Sequence, residues 1–223
     1  MKRVYVFCEG QTEESFVKEL MYSSFLSNNI ILFPIICTTK REKSGLKYKG
    51  GISSYAKIRA ELLKLCLSHK HEYVTMLFDY YALPSDTPGM DNLPQGSSLD
   101  KILYLEESIG SDINLNNFIP NIVLHEFEGL LFSQPEAFSF CIKSKRDILK
   151  LMEIRDSHTS PEEIDDSPLT APSKRILNIF PSYKKVLHGV NIAREIGMHT
   201  IAGECKHFSD WVLRILSLSE AEI

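Results

Sequence analysis

The sequence predicts an α/β domain: a mostly parallel β-sheet flanked by helices, with a helical C-terminal extension. Two observations carry this reading. The short apolar runs 4–8, 30–37, 73–78 and 121–124 have the length and composition of strands buried on both faces. Between them lie segments with apolar residues at helical spacing, and strands alternating with helices imply a parallel sheet joined by right-handed crossovers. The expected division is 1–134 for the α/β core and 135–223 for the helical part, packed on the core as one unit.

Taken in order, the run 4–8 is the first strand, broken by Glu9-Gly10-Gln11-Thr12. Gly10 is expected to take a backbone closed to other residues, and Thr12 to cap the following helix. Glu13 and Glu14 suit the positive end of that helix, while Phe16, Leu20, Met21 and Phe25 keep a helical spacing towards a core. Pro34 assigns the run 30–37 to an edge or an irregularity, because proline donates no ladder bond. Residues 40–51 form a basic, glycine-containing loop, and 52–68 a helix through Ile58, Leu62, Leu63 and Leu65. The run 73–78 is the central strand, closing on Asp79. The connection 80–96, with Pro84, Pro88, Gly89 and Pro94, is of a length usually kept for function. A helix from Ser98 leads to the strand 121–124, which runs into His125-Glu126-Phe127-Glu128. Beyond Pro135 the chain turns helical and more polar. Pro172 suits a helix start, and the last helix, 205–216, turns Phe208, Trp211, Val212 and Ile215 into the core.

Composition narrows the function. The 223 residues carry a net charge of −4, so no global basic field draws nucleic acid, and any such ligand needs local cations. Five cysteines without a C-x-x-C pair suggest neither a disulfide framework nor a zinc ribbon, but reduced thiols. His199, Cys205 and His207 have the wrong spacing and number for zinc. No signal-peptide core and no long apolar run is present, so the expected location is cytoplasmic.

The chemistry gathers at strand ends. Three apolar runs close on acids: Glu9 after the first, Asp79 after the third, Glu126 and Glu128 after the fourth. Ligands of an open parallel sheet bind outside the carboxyl ends of its strands, so these groups are expected in one crevice. Glu13, one helical turn from Glu9, is placed to join them. Crowded carboxylates raise one another's pKa and are normally kept for a cation. Hard oxygen donors indicate Mg²⁺ or Mn²⁺, which serve phosphoryl chemistry.

Five motifs carry a resemblance. Phe7-Cys8-Glu9-Gly10-Gln11-Thr12-Glu13 resembles the turn that opens the Toprim domains of overcoming-lysogenization-defect (OLD-type) nucleases. Together with Phe78-Asp79-Tyr80-Tyr81-Ala82-Leu83-Pro84, the segment from His125 to Phe132, Thr170-Ala171-Pro172-Ser173-Lys174-Arg175 and Cys205-Lys206-His207-Phe208, it resembles a bacterial Toprim-like family catalogued only as a domain of unknown function, number 4276. The resemblance implies a Toprim-like fold and an acidic metal site, with Glu9 as acid/base or ligand and Asp79 as a metal ligand. It further implies phage defence or DNA repair beside an ABC-type ATPase. One departure is plain: the usual D-x-D reads Asp79-Tyr80-Tyr81, leaving Asp86, Glu126 or Glu128 to supply the second acid.

The expected function is metal-dependent phosphodiester hydrolysis of nucleic acid, DNA or RNA. Glu9, Glu13, Asp79 and Lys174 are the expected catalytic residues, and Glu9, Asp79, Glu126 and Glu128 the expected metal ligands. Lys174 is assigned to the phosphate, and Lys40, Arg41, Lys43, Lys47, Lys49 and Arg175 to the nucleic-acid backbone. Tyr183, Lys184 and Lys185 read as a basic rim or plain surface charge, and Tyr80 and Tyr81 as base-stacking or loop packing. The alternative is a non-catalytic binding or regulatory subunit of an ATPase complex. Under the first reading, Asp79→Ala is expected to abolish cleavage and leave the melting temperature near wild type.

Overall fold

A computed structural model describes residues 1–37, 54–164 and 170–219. Its centre is a sheet of five parallel strands: β1 (Lys2–Cys8), β2 (Ile30–Ile36), β3 (Tyr73–Asp79), β4 (Phe118–Ile119) and β5 (Ile122–Val123). The order is β2-β1-β3-β4, and β5 also pairs with β3. This is the predicted α/β class, with β3 central and Pro34 on the edge strand β2, opposite Val6.

The strand expected at 121–124 is the two-residue β5, and a separate short strand, β4, precedes it at Phe118–Ile119. Pro120 separates them, lacking the N–H a continuous ladder requires. Asn121 repairs the gap by donating its side-chain amide to Met76 O at 3.1 Å. The register then aligns the strand ends. Cys8 pairs with Leu77 and Asp79 with Val123, so the residues following β1, β3 and β5 emerge at one edge.

Strand alternation sorts the core. Val4, Val6 and Cys8 face one side, with Phe16, Met21, Phe25, Phe127, Leu131, Trp211 and Ile215. Phe7, Val74, Met76 and Phe78 face the other, against Ile58 and Leu62 of α3 (Tyr55–Ser68) and Ile102, Leu105 and Ile109 of α4 (Ser98–Ile113). The C-terminal helices α5 (Lys145–Asp156), α6 (Pro172–Ile179), α7 (Val190–Ile196), α8 (Met198–Glu204) and α9 (Lys206–Leu216) therefore share the core of the first strand. Among them, α9 buries Trp211, whose indole N–H donates to Thr75 Oγ1 at 2.8 Å.

Helix starts correct three expectations. The helical run from Gln11 comprises α1 (Gln11–Phe16), a π-helical turn (Val17–Met21) and α2 (Tyr22–Leu26), so it begins before Thr12. Thr12 is buried inside it rather than capping it. The cap residue is Gly10, whose φ of −159° is extended backbone open to any residue. Asp86 accepts a hydrogen bond from Tyr55 N at 2.8 Å and so serves the start of α3. At α9 the same need is met by Glu162, whose two carboxylate oxygens accept from His207 N and Phe208 N, each at 2.9 Å. Among the described residues, no helix is long and apolar enough to cross a membrane.

Candidate functional site

The carboxyl edge of the sheet holds a nest of carboxylates. Glu9 leaves the end of β1, and Glu13 follows one turn into α1. Asp79 closes β3. After β5 the chain turns sharply at His125, which takes the left-handed φ of 61°. It then enters a 3₁₀ helix, Phe127–Ser133, that presents Glu128. Asp79 holds this turn in place, since its Oδ1 accepts from Phe127 N at 2.8 Å. Glu9 Oε2 in turn accepts from Asp79 N at 3.3 Å. Glu13, Asp79 and Glu128 are 3%, 4% and 1% exposed, which is deep for acids.

The cation at their centre is Lys185. Its Nζ lies 2.7 Å from Asp79 Oδ2, 3.3 Å from Glu128 Oε2 and 3.5 Å from Glu13 Oε1. It also stands 5.8 Å from the centroid of the Phe127 ring, within cation–π reach. Lys185 opens a π-helical turn, Lys185–Gly189, and Tyr183 just before it donates its hydroxyl to Glu128 Oε1 at 3.5 Å. Gly189 makes room for this: a Cβ there would lie 2.7 Å from the Tyr183 oxygen and 3.2 Å from the Phe127 ring.

Electrostatics explains how the cluster survives burial. Burial, then the charges of Asp79 and Glu13, push the Glu9 carboxyl up to about 8. Burial raises Glu128 to about 7 against the pull of Lys185, with Asp79 and Glu126 adding to the rise. Glu13 is raised as well, by burial and by Asp79. For Lys185, burial disfavours the charge, but Asp79, Glu128 and Glu13 outweigh it and hold the ammonium well above its ordinary value. The nest is thus neutralised partly by a permanent ammonium and partly by retained protons.

Two buried oxygens, Glu13 Oε1 and Glu128 Oε2, have no hydrogen-bond partner among the described residues. They meet the Lys185 ammonium only at the long distances above. As hard donors without hydrogen bonds, they fit a divalent cation in chemistry. The geometry is a different matter: among the described residues, no group of three or more His, Cys, Asp or Glu side chains is arranged to hold an ion. The point where the oxygens converge is taken by Nζ.

Of the expected site residues, Glu9, Glu13, Asp79 and Glu128 come together. Glu126 turns one oxygen to Ser173 N, 3.0 Å away at the start of α6 (Pro172–Ile179). Lys174 is exposed, and the cation among the carboxylates is Lys185 in its place. Arg175 is half-buried and donates from Nε to Thr170 O at 2.7 Å. Lys40, Arg41, Lys43, Lys47 and Lys49 lie outside the described residues. Tyr80 and Tyr81 sit with ring centroids 5.7 Å apart, and Tyr81 is again 5.7 Å from His125. His207 Nε2 lies 3.0 Å from Glu106 Oε1, and Cys205 Sγ 3.3 Å from Ser133 Oγ; all five cysteines are free. Lys185 was legible only as one of three polar residues, Tyr183-Lys184-Lys185, with no spacing that tied it to the acids. Asp79 is buried and bonded on both oxygens, which argues against the expectation that Asp79→Ala keeps a melting temperature near wild type.

Over residues 8–216 the chain matches the family described as a domain of unknown function, DUF4276, and it belongs to that family. No curated protein matches it, and no solved structure does.

Proposed function

We propose that this DUF4276 member hydrolyses phosphodiester bonds of nucleic acid at the strand-end nest, with Mg²⁺ or Mn²⁺ as cofactor. The observation that carries the reading is the pair of buried carboxylate oxygens, on Glu13 and Glu128, beside Asp79 and Glu9, that form no hydrogen bond among the described residues. Such oxygens are costly to keep, and groups of this kind gather at ion-binding and catalytic sites. Glu9, Glu13, Asp79 and Glu128 are the residues to hold the ion. A bound divalent ion supplies Lewis acidity for a phosphoryl oxygen and lowers the pKa of water.

The chain's own groups divide the remaining work. Asp79 is oriented by Phe127 N and so presents its other oxygen inward. Glu9 is half-buried at the rim, placed to exchange protons with a substrate oxygen. The cation-rich segment with Lys40, Arg41, Lys43, Lys47 and Lys49 follows Cys37, which bonds through its N–H to Cys8 O at the same sheet edge. Those cations answer the lack of a global basic field. A bacterial defence or repair setting with an ABC-type ATPase partner extends this proposal through the family resemblance.

A second reading has its own observation. Lys185 already neutralises the point where an ion would sit, as expected of a non-catalytic binding or regulatory subunit. The deciding experiment incubates the protein with single- and double-stranded DNA and with tRNA, in Mg²⁺, Mn²⁺ or EDTA, with Glu9→Gln and Asp79→Asn as controls. Cleavage that requires metal and both carboxylates is the expected outcome. A folded protein inert in every condition, alone and with its ATPase partner, refutes the nuclease reading.

A further inference from the structure

We propose that Lys185 is a displaceable counter-ion: its ammonium and a divalent cation compete for the same carboxylate oxygens, so an ion enters as Lys185 leaves. This rests on the metal-site reading above and names how that site is controlled.

The contacts themselves are unequal. Only Asp79 Oδ2, at 2.7 Å, is at charge-assisted hydrogen-bond distance from Nζ. The oxygens of Glu128 and Glu13 stand back at 3.3 and 3.5 Å, and neither forms a hydrogen bond among the described residues. One ammonium has three protons to offer but reaches one partner well, so the nest is neutralised without being satisfied. A divalent ion draws oxygens in to about 2.0–2.6 Å, closer than any of these contacts. It would have to use Asp79 Oδ2, and an ammonium and a dication on one oxygen repel strongly at low dielectric. The two occupants therefore exclude each other.

The structure also provides a way out for the lysine. Its side chain is 32% exposed, whereas those of the three acids are 2–6% exposed, so it enters the nest from the solvent side. It lies at the first position of its π-helical turn, and the next two residues, Val186 and Leu187, are 49% and 55% exposed. The exposed residues beside it leave the solvent side of Lys185 open, while buried Tyr183 and Gly189 anchor both ends of the segment. The acids cannot move in the same way, since they belong to the sheet edge and its first turns.

The test uses full-length protein without nucleic acid. Mn²⁺ binding is measured by electron paramagnetic resonance of the free ion, and Mg²⁺ binding by calorimetry, for wild type, Lys185→Met and Asp79→Asn. Lys185→Met is expected to bind either ion at least about tenfold more tightly than wild type, because no ammonium has to be expelled. In parallel, Lys185 in the wild-type protein is mapped by reductive methylation and mass spectrometry. It is expected to be protected in EDTA and modified at saturating Mg²⁺, a readout that does not depend on how the variant folds. Metal binding that is unchanged in Lys185→Met, with Lys185 still protected when metal is bound, overturns the displacement and leaves the metal site standing. No metal binding by any of the proteins overturns the metal site and this inference with it.

Discussion

Asp79 is the residue at which the structure and the proposed chemistry are most tightly joined, and its two simplest substitutions should separate them. Its Oδ1 accepts the Phe127 N–H at 2.8 Å and its Oδ2 takes the Lys185 ammonium at 2.7 Å, both in a residue 4% exposed. Asp79→Ala leaves the Phe127 N–H buried and unpaired, which costs about 1–3 kcal/mol. The ammonium is not abandoned, because Glu128 and Glu13 remain within 3.3 and 3.5 Å. The full penalty for an orphaned buried charge is therefore not incurred. Loss of the repulsion between Asp79 and the acids Glu9 and Glu13 offsets part of the rest. A net loss of about 2 kcal/mol is expected, or about 4–8 °C in melting temperature for a chain of this size. Asp79→Asn keeps an oxygen for Phe127 N and should lose under about 1 kcal/mol while removing the charge from the nest. Urea unfolding of both variants, at one pH and without metal, gives the two numbers. If Asp79→Ala unfolds within about 0.5 kcal/mol of wild type, the bond to Phe127 N does not hold the turn and the account of the site's assembly is wrong. If Asp79→Asn retains full metal-dependent cleavage, Asp79 is not a ligand.

Three further outcomes are expected. Glu162→Ala removes the acceptor of two buried N–H groups at the start of α9 and should cost about 3 kcal/mol in urea unfolding, with Glu162→Gln costing roughly half; equal losses would show that the charge, not the bonds, matters. Burial disfavours the charge on His207, but the Glu106 hydrogen bond and charge and the nearby Glu162 outweigh it and raise its pKa. Its stabilising effect is therefore fully present below about pH 6.5 and is lost as the pH rises through the higher folded value. Stability measured across that range should fall more steeply in wild type than in His207→Gln, and parallel curves would dismiss the linkage. Gly189→Ala drives a Cβ to 2.7 Å from the Tyr183 oxygen and should cost about 1–3 kcal/mol. Gly203→Ala, on an open stretch of α8 (Met198–Glu204), should cost nothing in the same assay.

Much of the fold was legible because it is written in local pattern. The β1 and β3 runs are short, apolar and closed by acids, and the structure places both inside a parallel sheet with their ends aligned. The edge position of β2 followed from a single proline. Three of the acids, Glu9, Asp79 and Glu128, could be named from chain order alone, because a parallel sheet delivers every strand end to one side. What the sequence hid was non-local. Lys185 joins Asp79 across 106 residues, and no periodicity connects them. Lys174 has the same chemistry and a better motif, yet helix α6 leaves it in solvent and spends its own start on Glu126. Asp86 was a reasonable second acid by charge, but the free N–H at the start of α3 claimed it. Even Gly10, in a motif that suggests a special backbone, has an ordinary one.

The single ammonium shared by three acids has a consequence for how this family changes over time. Lys185 helps to make Glu13, Asp79 and Glu128 tolerable in the interior, so the four positions are expected to be inherited as a set. A lineage that loses the lysine must shed an acid, recruit another base, or become dependent on an ion that never leaves. Across DUF4276 sequences, substitutions at these four positions should therefore arrive together, and a lone change at Lys185 should be the rarest.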